Sequence, residues 1–409
     1  MTATPTDRPR SVLRDRAFLR LWTGSTASGM ATWAMPFVLG LAVLERSISG
    51  VDLGIVLATR TAGFLAAVPV AGVLADRFSR RGVVLWSGLT AAAASPVIAL
   101  GVGWSVWLMA AAAAVVGAGQ GACRPAFQAL TAEIVDEDRR QQANAALTLA
   151  VRVTTLLAPG LTALLAVVVT TQALLVGMGA LWLTAALLPP AGGRARPDGP
   201  ATGPVRRAGF VAEFAEGVRE ARGHPWFLAG LGALTAVIAT GYSATGVVLP
   251  LVSRDRYDTE AVLAAAMTAY TLGALAGAVL MSRWRPTASG WAALAGLACY
   301  GFAPLALLLP APAALVVAAY AVAGVGIELF NVPWFTATQR EVAPDKLARV
   351  SSLDFLFSYG LAPVGLALIA PAIAAFGAAP VLLVCAGVCF AAPAVAALVP
   401  SSRAFSTRG

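Results

Sequence analysis

Twelve apolar runs, each close to the length a helix needs to cross a bilayer, leave this chain few ways to fold. A spanning helix takes roughly 20 apolar residues. In hydrocarbon every backbone N–H and C=O must find a partner inside the protein, and a helix supplies those partners within its own segment. Runs that meet the length rule fall at about 19–44, 51–75, 82–101, 104–128, 143–169, 173–189, 226–251, 261–282, 289–308, 312–337, 354–376 and 379–399. The chain is 58% hydrophobic and 12% charged over 409 residues, whereas soluble domains carry about 25% charged residues. The polar stretch Met1–Arg16 leads into the first run without a short hydrophobic core and small-residue cleavage site. That run is therefore expected to be a retained helix and not a signal peptide. The expected fold class is an all-α membrane protein of twelve transmembrane helices.

The basic residues orient it. Of 29 Lys and Arg, all but five fall in connectors on the side that holds the N-terminus. Arg46, Arg254 and Arg256 lie on the other side, and Arg60 and Arg152 lie deep inside helices. Arg124 is counted at the basic-side end of the fourth helix. Basic loops stay in the cytoplasm, so both termini are expected there, with the lipid bilayer as the surrounding partner. The arginines are scattered over short loops and not gathered on one face, which argues against nucleic acid. Cys123, Cys299, Cys385 and Cys389 sit in apolar runs without metal-ligand spacing, and His224 is the only histidine. No metal site, cofactor or catalytic residue is expected, and the chain reads as a non-enzyme.

Organisation follows from a break and a repeat. Pro189–Pro204 is rich in Pro, Gly and Ala and reads as a flexible linker. After it Phe210, Val211, Phe214 and Val218 recur at helical spacing opposite Glu213, Glu216, Glu220 and Arg219, as in an amphipathic helix lying on the cytoplasmic leaflet. This divides the chain into 1–188, a linker at 189–225, and 226–409. Pro125-Ala126-Phe127, Ala129, Glu133-Ile134 and Glu137 recur 208 positions later as Pro333-Trp334-Phe335, Ala337, Glu341-Val342 and Asp345. Two six-helix, pseudo-symmetric halves are expected, an arrangement that lets one half rock against the other around a central site.

Between the second and third runs stands Gly72-Val73-Leu74-Ala75-Asp76-Arg77-Phe78-Ser79-Arg80-Arg81. It closely resembles the loop between helices two and three of the major facilitator superfamily, with Ser79 where that family usually has glycine. The resemblance implies the major facilitator fold and a gate motif of Gly72, Asp76, Arg77, Arg80 and Arg81 that latches the two halves on the cytoplasmic side. Asp76 is then expected against the N-terminus of the eleventh helix near Ser351, Ser352 and Asp354, with Arg77 or Arg81 shielding it from Asp354. Gly119–Ala145 and Gly324–Ser352 resemble the transmembrane secretion effector branch, which includes siderophore and macrolide exporters. Ala158-Pro159-Gly160 keeps the proline of the exporters' glycine-proline motif and replaces the preceding glycine.

Three charges lie where charges are expensive. Glu328, Arg60 and Arg152 are each about nine or ten residues from the nearer surface, roughly 14 Å deep at 1.5 Å per residue. A charge there costs on the order of 3 kcal/mol and usually faces a bundle interior or a wet cavity. Glu328 is the expected proton-coupling group. Arg60 and Arg152 would bias the cavity towards an anionic substrate or keep Glu328 ionised; the alternative is an Arg–Glu pair that only ties helices together. Tyr242, Tyr270, Tyr320, Tyr359 and Asn331 are candidate cavity-lining residues. The implied function is a monomeric, proton-coupled exporter of a small organic molecule (drug, siderophore or secondary metabolite) in a bacterial plasma membrane. The alternative is an uptake permease or uniporter of the same fold.

Overall fold

The computed structural model describes residues 11–77, 79–192, 210–360 and 362–406. Phe78 and the linker beyond Gly192 lie outside them. The first group of helices comprises α1 (Arg16–Leu44), α2 (Gly50–Arg77), α3 (Arg80–Gly101), α4 (Val106–Ile134), α5 (Arg140–Leu165) and α6 (Thr171–Leu187). A short α7 (Phe210–Arg222) follows. The next crossing runs from α8 (Pro225–Val237) through a π turn at Ile238–Tyr242 into α9 (Ser243–Tyr257). Then come α10 (Ala261–Arg283) and α11 (Ser289–Ala298), the latter continued by α12 (Phe302–Leu308). Next is α13 (Ala313–Glu341), then α14 (Leu347–Gly360) leading into α15 (Ala362–Phe376), and last α16 (Ala378–Ala397). Among the described residues eleven spans are long and apolar enough to cross a membrane, and α6, at 17 residues, is a shorter apolar helix. The protein is a multi-pass membrane protein.

Helix starts are written in the sequence. Asp15 accepts from the Ala17 and Phe18 N–H groups at the head of α1, and Ser105 and Thr170 cap α4 and α6. Each cap satisfies backbone donors that the first turn leaves open. Glycines then set how closely the helices approach. A side chain at Gly117 or Gly121 of α4 would collide with the backbone of Arg60 or Phe64 on α2, and Gly273 and Gly324 do the same for α10 against α13. Small residues of this kind substitute for a hydrophobic driving force between helices in lipid.

Contacts between α1–α6 and the helices after α7 concentrate at one end, the basic end that carries Asp76. There α14 packs on α2 and α4, and α10 and α13 pack on α5. Gly72 allows the tightest of these approaches, since a methyl group on it would stand 2.6 Å from Ser352 Oγ. At the opposite end no hydrogen bond or ion pair joins the two groups among the described residues. The spans built on α2, α5 and α14–α15 are also the least buried of the eleven, at 17%, 22% and 21%. A cleft flanked by those helices therefore opens away from the basic end.

Candidate functional site

Asp76 ends α2 pointing across the divide. Its side chain is fully buried and accepts from Ala348 N at 3.1 Å, Arg349 N at 2.9 Å and Arg349 Nε at 3.2 Å. These are the first-turn N–H groups of α14, where the helix dipole favours an anion. The expected helix start was too late: α14 begins at Leu347, so Asp354 lies two turns inside, buried, and accepts from Ser358 Oγ at 3.1 Å. The arginine beside Asp76 is Arg349, together with Arg80 at 3.8 Å, and not Arg77 or Arg81. Arg80 also pairs with Glu133 at 2.8 Å and donates to the Pro344 carbonyl across the divide. Arg81 bonds the Leu187 carbonyl at 3.2 Å. Ser79 takes the glycine position without strain: its backbone is extended, with φ −154°, and its hydroxyl caps α3 through Gly82 N.

The amphipathic helix α7 is docked on this latch, a correction to its reading as a segment on the lipid surface. Glu213 faces Arg77 at 3.7 Å, Glu216 bonds Arg349 at 2.9 Å, and Glu220 bonds Lys346 at 2.9 Å. Phe214 and Val218 pack into the core beside them. The Lys346 ammonium holds the Glu220 carboxyl below the usual carboxylate range. That tie is therefore complete above the ordinary carboxylate range and is lost as pH falls through the lowered value.

Beneath the latch a polar layer seals the divide. Asn144 donates to Thr336 Oγ1 and Gln339 Oε1, both at 2.9 Å, and Gln339 donates to Gln128 Oε1 at 2.9 Å. Arg140 donates to the Gln339 carbonyl at 3.0 Å. Gln141 reaches the carbonyls of Met281 and Trp284 at the end of α10, at 2.6 and 2.7 Å. Leu280-Met281-Ser282-Arg283, a weaker echo of the Asp76 loop in the second half of the chain, lacks its acid, and a neutral amide makes the crossing there instead.

At mid-depth, Arg152 of α5 donates from Nε to Glu328 Oε1 of α13 at 2.6 Å. Glu328 is completely buried, and its Oε2 makes no hydrogen bond of good geometry, although Asn331 one turn on is a donor close to the carboxylate. Gly277 of α10 packs against the Glu328 Cβ, and Arg152 lies 5.7 Å from the Tyr270 ring centroid. Tyr270 and Tyr242 both lean on Tyr300. Tyr320 is instead buried within the later helices, at 3% exposure.

Arg60 does not join Glu328. It donates to Gln120 Oε1 at 2.8 Å and to the Thr32 carbonyl at 3.2 Å, both within the first group of helices. The sequence reading missed Arg124. Because α4 runs on to Ile134, Arg124 lies ten residues inside the helix and not at its end. It donates to Tyr359 Oη at 3.1 Å across the divide and lies 4.7 Å from that ring's centroid. Arg349, Gln128 and Gln339 were likewise passed over, being polar residues near expected helix ends with no local pattern to mark them.

The family model described as Major Facilitator Superfamily matches residues 21–365. A solved structure of the human organic anion transporter MFSD10 (TETRAN) superposes with a TM-score of 0.75 at 16% identity, over 93% of this chain and 99% of that one. The proton:xylose symporter XylE bound to 6-bromo-6-deoxy-D-glucose superposes with a TM-score of 0.68 at 13% identity, over 94% of this chain and 95% of that one. At such identities the likeness is one of fold. No curated protein matches the sequence.

Proposed function

We propose, from the premise that the chain belongs to the major facilitator superfamily, that it exports a small organic molecule from a bacterial cytoplasm in exchange for protons. The observation that carries this reading is the Arg152–Glu328 bond, which joins the two groups of helices at mid-depth through a buried carboxylate. Protonating Glu328 removes its charge and weakens that tie, so proton occupancy and the relation of the two groups change together. The closed basic end and the cleft at the other describe one face of an alternating-access cycle, open to the exterior if the basic end is cytoplasmic. The secretion-effector likeness of the sequence supports export. Because the fold also serves a proton:xylose symporter, uptake is the alternative.

Vesicle orientation separates the two. With a panel of secreted metabolites, export predicts uptake into acid-interior inside-out vesicles and collapse of the pH gradient when substrate is added. Accumulation confined to right-side-out vesicles would establish import instead. The side assignment has its own check in single-cysteine labelling of intact cells. Asp255→Cys, exposed on the last turn of α9, should react with an impermeant maleimide, and Arg219→Cys, on the outer face of α7, only after permeabilisation. The reverse pattern would turn the molecule over.

A further inference from the structure

Resting on the transporter reading above, we infer that Arg124, with Arg60 beside it, receives the acidic group of an organic anion, and that the same guanidinium otherwise holds the basic end shut through Tyr359. Gln120 and Arg124 are four residues apart on α4 and so share a face, separated by roughly 6 Å of helix rise. Gln120 holds Arg60, so the two guanidinium groups stand about a turn apart on one wall. Among the described residues neither has a carboxylate within ion-pair distance, whereas Arg80, Arg152 and Arg349 all do. Arg60 Nε is buried with no partner at all. Like charges in a partly desolvated site repel strongly, and this pair lacks the counter-charge that such sites ordinarily contain. Arg152 is already matched by Glu328, so the positive charge open to a ligand belongs to Arg60 and Arg124.

The ring under Arg124 indicates the rest of the ligand. Tyr359, a residue 39% exposed, packs on the buried Phe64 and Phe355 and lays its ring under Arg124. A flat, apolar body carrying a carboxylate fits that setting. The carboxylate competes directly with the closing contact, because Arg124 gives Tyr359 only a neutral-acceptor hydrogen bond. A carboxylate adds the attraction of an opposite charge and accepts two parallel N–H bonds from the guanidinium, where the phenol oxygen accepts one. Binding therefore takes from the closed end one of the bonds that cross the divide.

The test uses the purified full-length chain with phthalate as probe and phthalamide as its uncharged isostere. Two readouts are followed: thermal stabilisation, and the distance between spin labels at Ser79→Cys and Asp345→Cys, which flank the divide at the basic end. Phthalate alone should stabilise the protein and lengthen the distance. Arg124→Gln should weaken the response at least tenfold and abolish the lengthening, with Arg124→Lys recovering part of the binding. Tyr359→Phe removes the competing oxygen and should bind phthalate at least as tightly, with longer distances before any ligand is added. An unchanged phthalate midpoint in Arg124→Gln would overturn the inference, as would equal losses in Arg124→Gln and Tyr359→Phe, which mark a merely structural contact. So would a wild-type protein blind to phthalate; the vesicle assay, which does not depend on Arg124, would then still decide the transporter reading.

Discussion

Replacing Glu328 with glutamine should abolish pH-gradient-driven accumulation of substrate and leave downhill exchange in place. Glutamine keeps the size and a hydrogen-bonding oxygen for Arg152 but cannot titrate, so proton occupancy no longer changes between the two faces of the cycle. The substitution carries a structural cost as well. Removing one partner of a buried ion pair leaves the other uncompensated, at about 3–5 kcal/mol. Arg152 is 19% exposed towards the cleft, and water there offsets part of that cost. The double variant Glu328→Gln with Arg152→Gln removes both charges and separates instability from lost coupling. Counterflow and pH-jump uptake in proteoliposomes check the prediction. If the glutamine variant concentrates substrate with the wild-type pH dependence, Glu328 is a structural partner only. If Asp354→Asn loses coupling in its place, the proton site is that second buried carboxylate.

Asp76→Asn should open the basic end. The carboxylate receives two backbone N–H bonds and a guanidinium bond at the head of α14, each worth roughly 1.5–3 kcal/mol when one group is charged. Asparagine keeps one acceptor and loses the charge, so a net loss of about 3 kcal/mol is reasonable, or somewhat over a hundredfold in the closed-to-open ratio. A closed state favoured about 99 to 1 would fall to near parity. Transport should drop while expression and membrane insertion stay near normal, and the distance between labels at Ser79→Cys and Asp345→Cys should broaden towards longer values. Wild-type kinetics and an unchanged distance would reduce the motif to a positive anchor.

How much of this could be read beforehand depended on where each residue gets its partner. The apolar runs gave the crossings, because length and hydropathy are properties of a segment alone. That Asp76 meets the head of the eleventh helix was legible from the loop's resemblance, but not that this helix begins at Leu347; depth marked Glu328, Arg60 and Arg152 without saying which arginine pairs with the carboxylate. Arg124 and Asp354 were not legible. A hydropathy rule trims polar residues from helix ends, yet α4 and α14 carry polar turns satisfied by one another's neighbours, so both helices outrun their apolar cores. The stripe of α7 showed that one face is buried, which periodicity can do. It could not show whether lipid or protein covers that face, because Arg77, Lys346 and Arg349 are far away in sequence. The pairing of Arg60 with Gln120 in place of Glu328 was hidden for the same reason.

The π turn at Ile238–Tyr242 has a consequence for how its crossing can change. An α-helix advances about 100° per residue, and a turn closed i to i+5 takes up one residue more than its neighbours. Everything from Ser243 to Tyr257 is thus rotated by about that angle relative to an unbroken continuation of α8. Losing one residue between Ile238 and Tyr242 would restore a regular helix without shortening the crossing by more than a fraction of a turn, and would leave Thr245 facing Tyr300, whose hydroxyl it meets at 3.1 Å. Elsewhere in a regular helix a single-residue deletion rotates everything beyond it by about 100°; at this turn the deletion is absorbed.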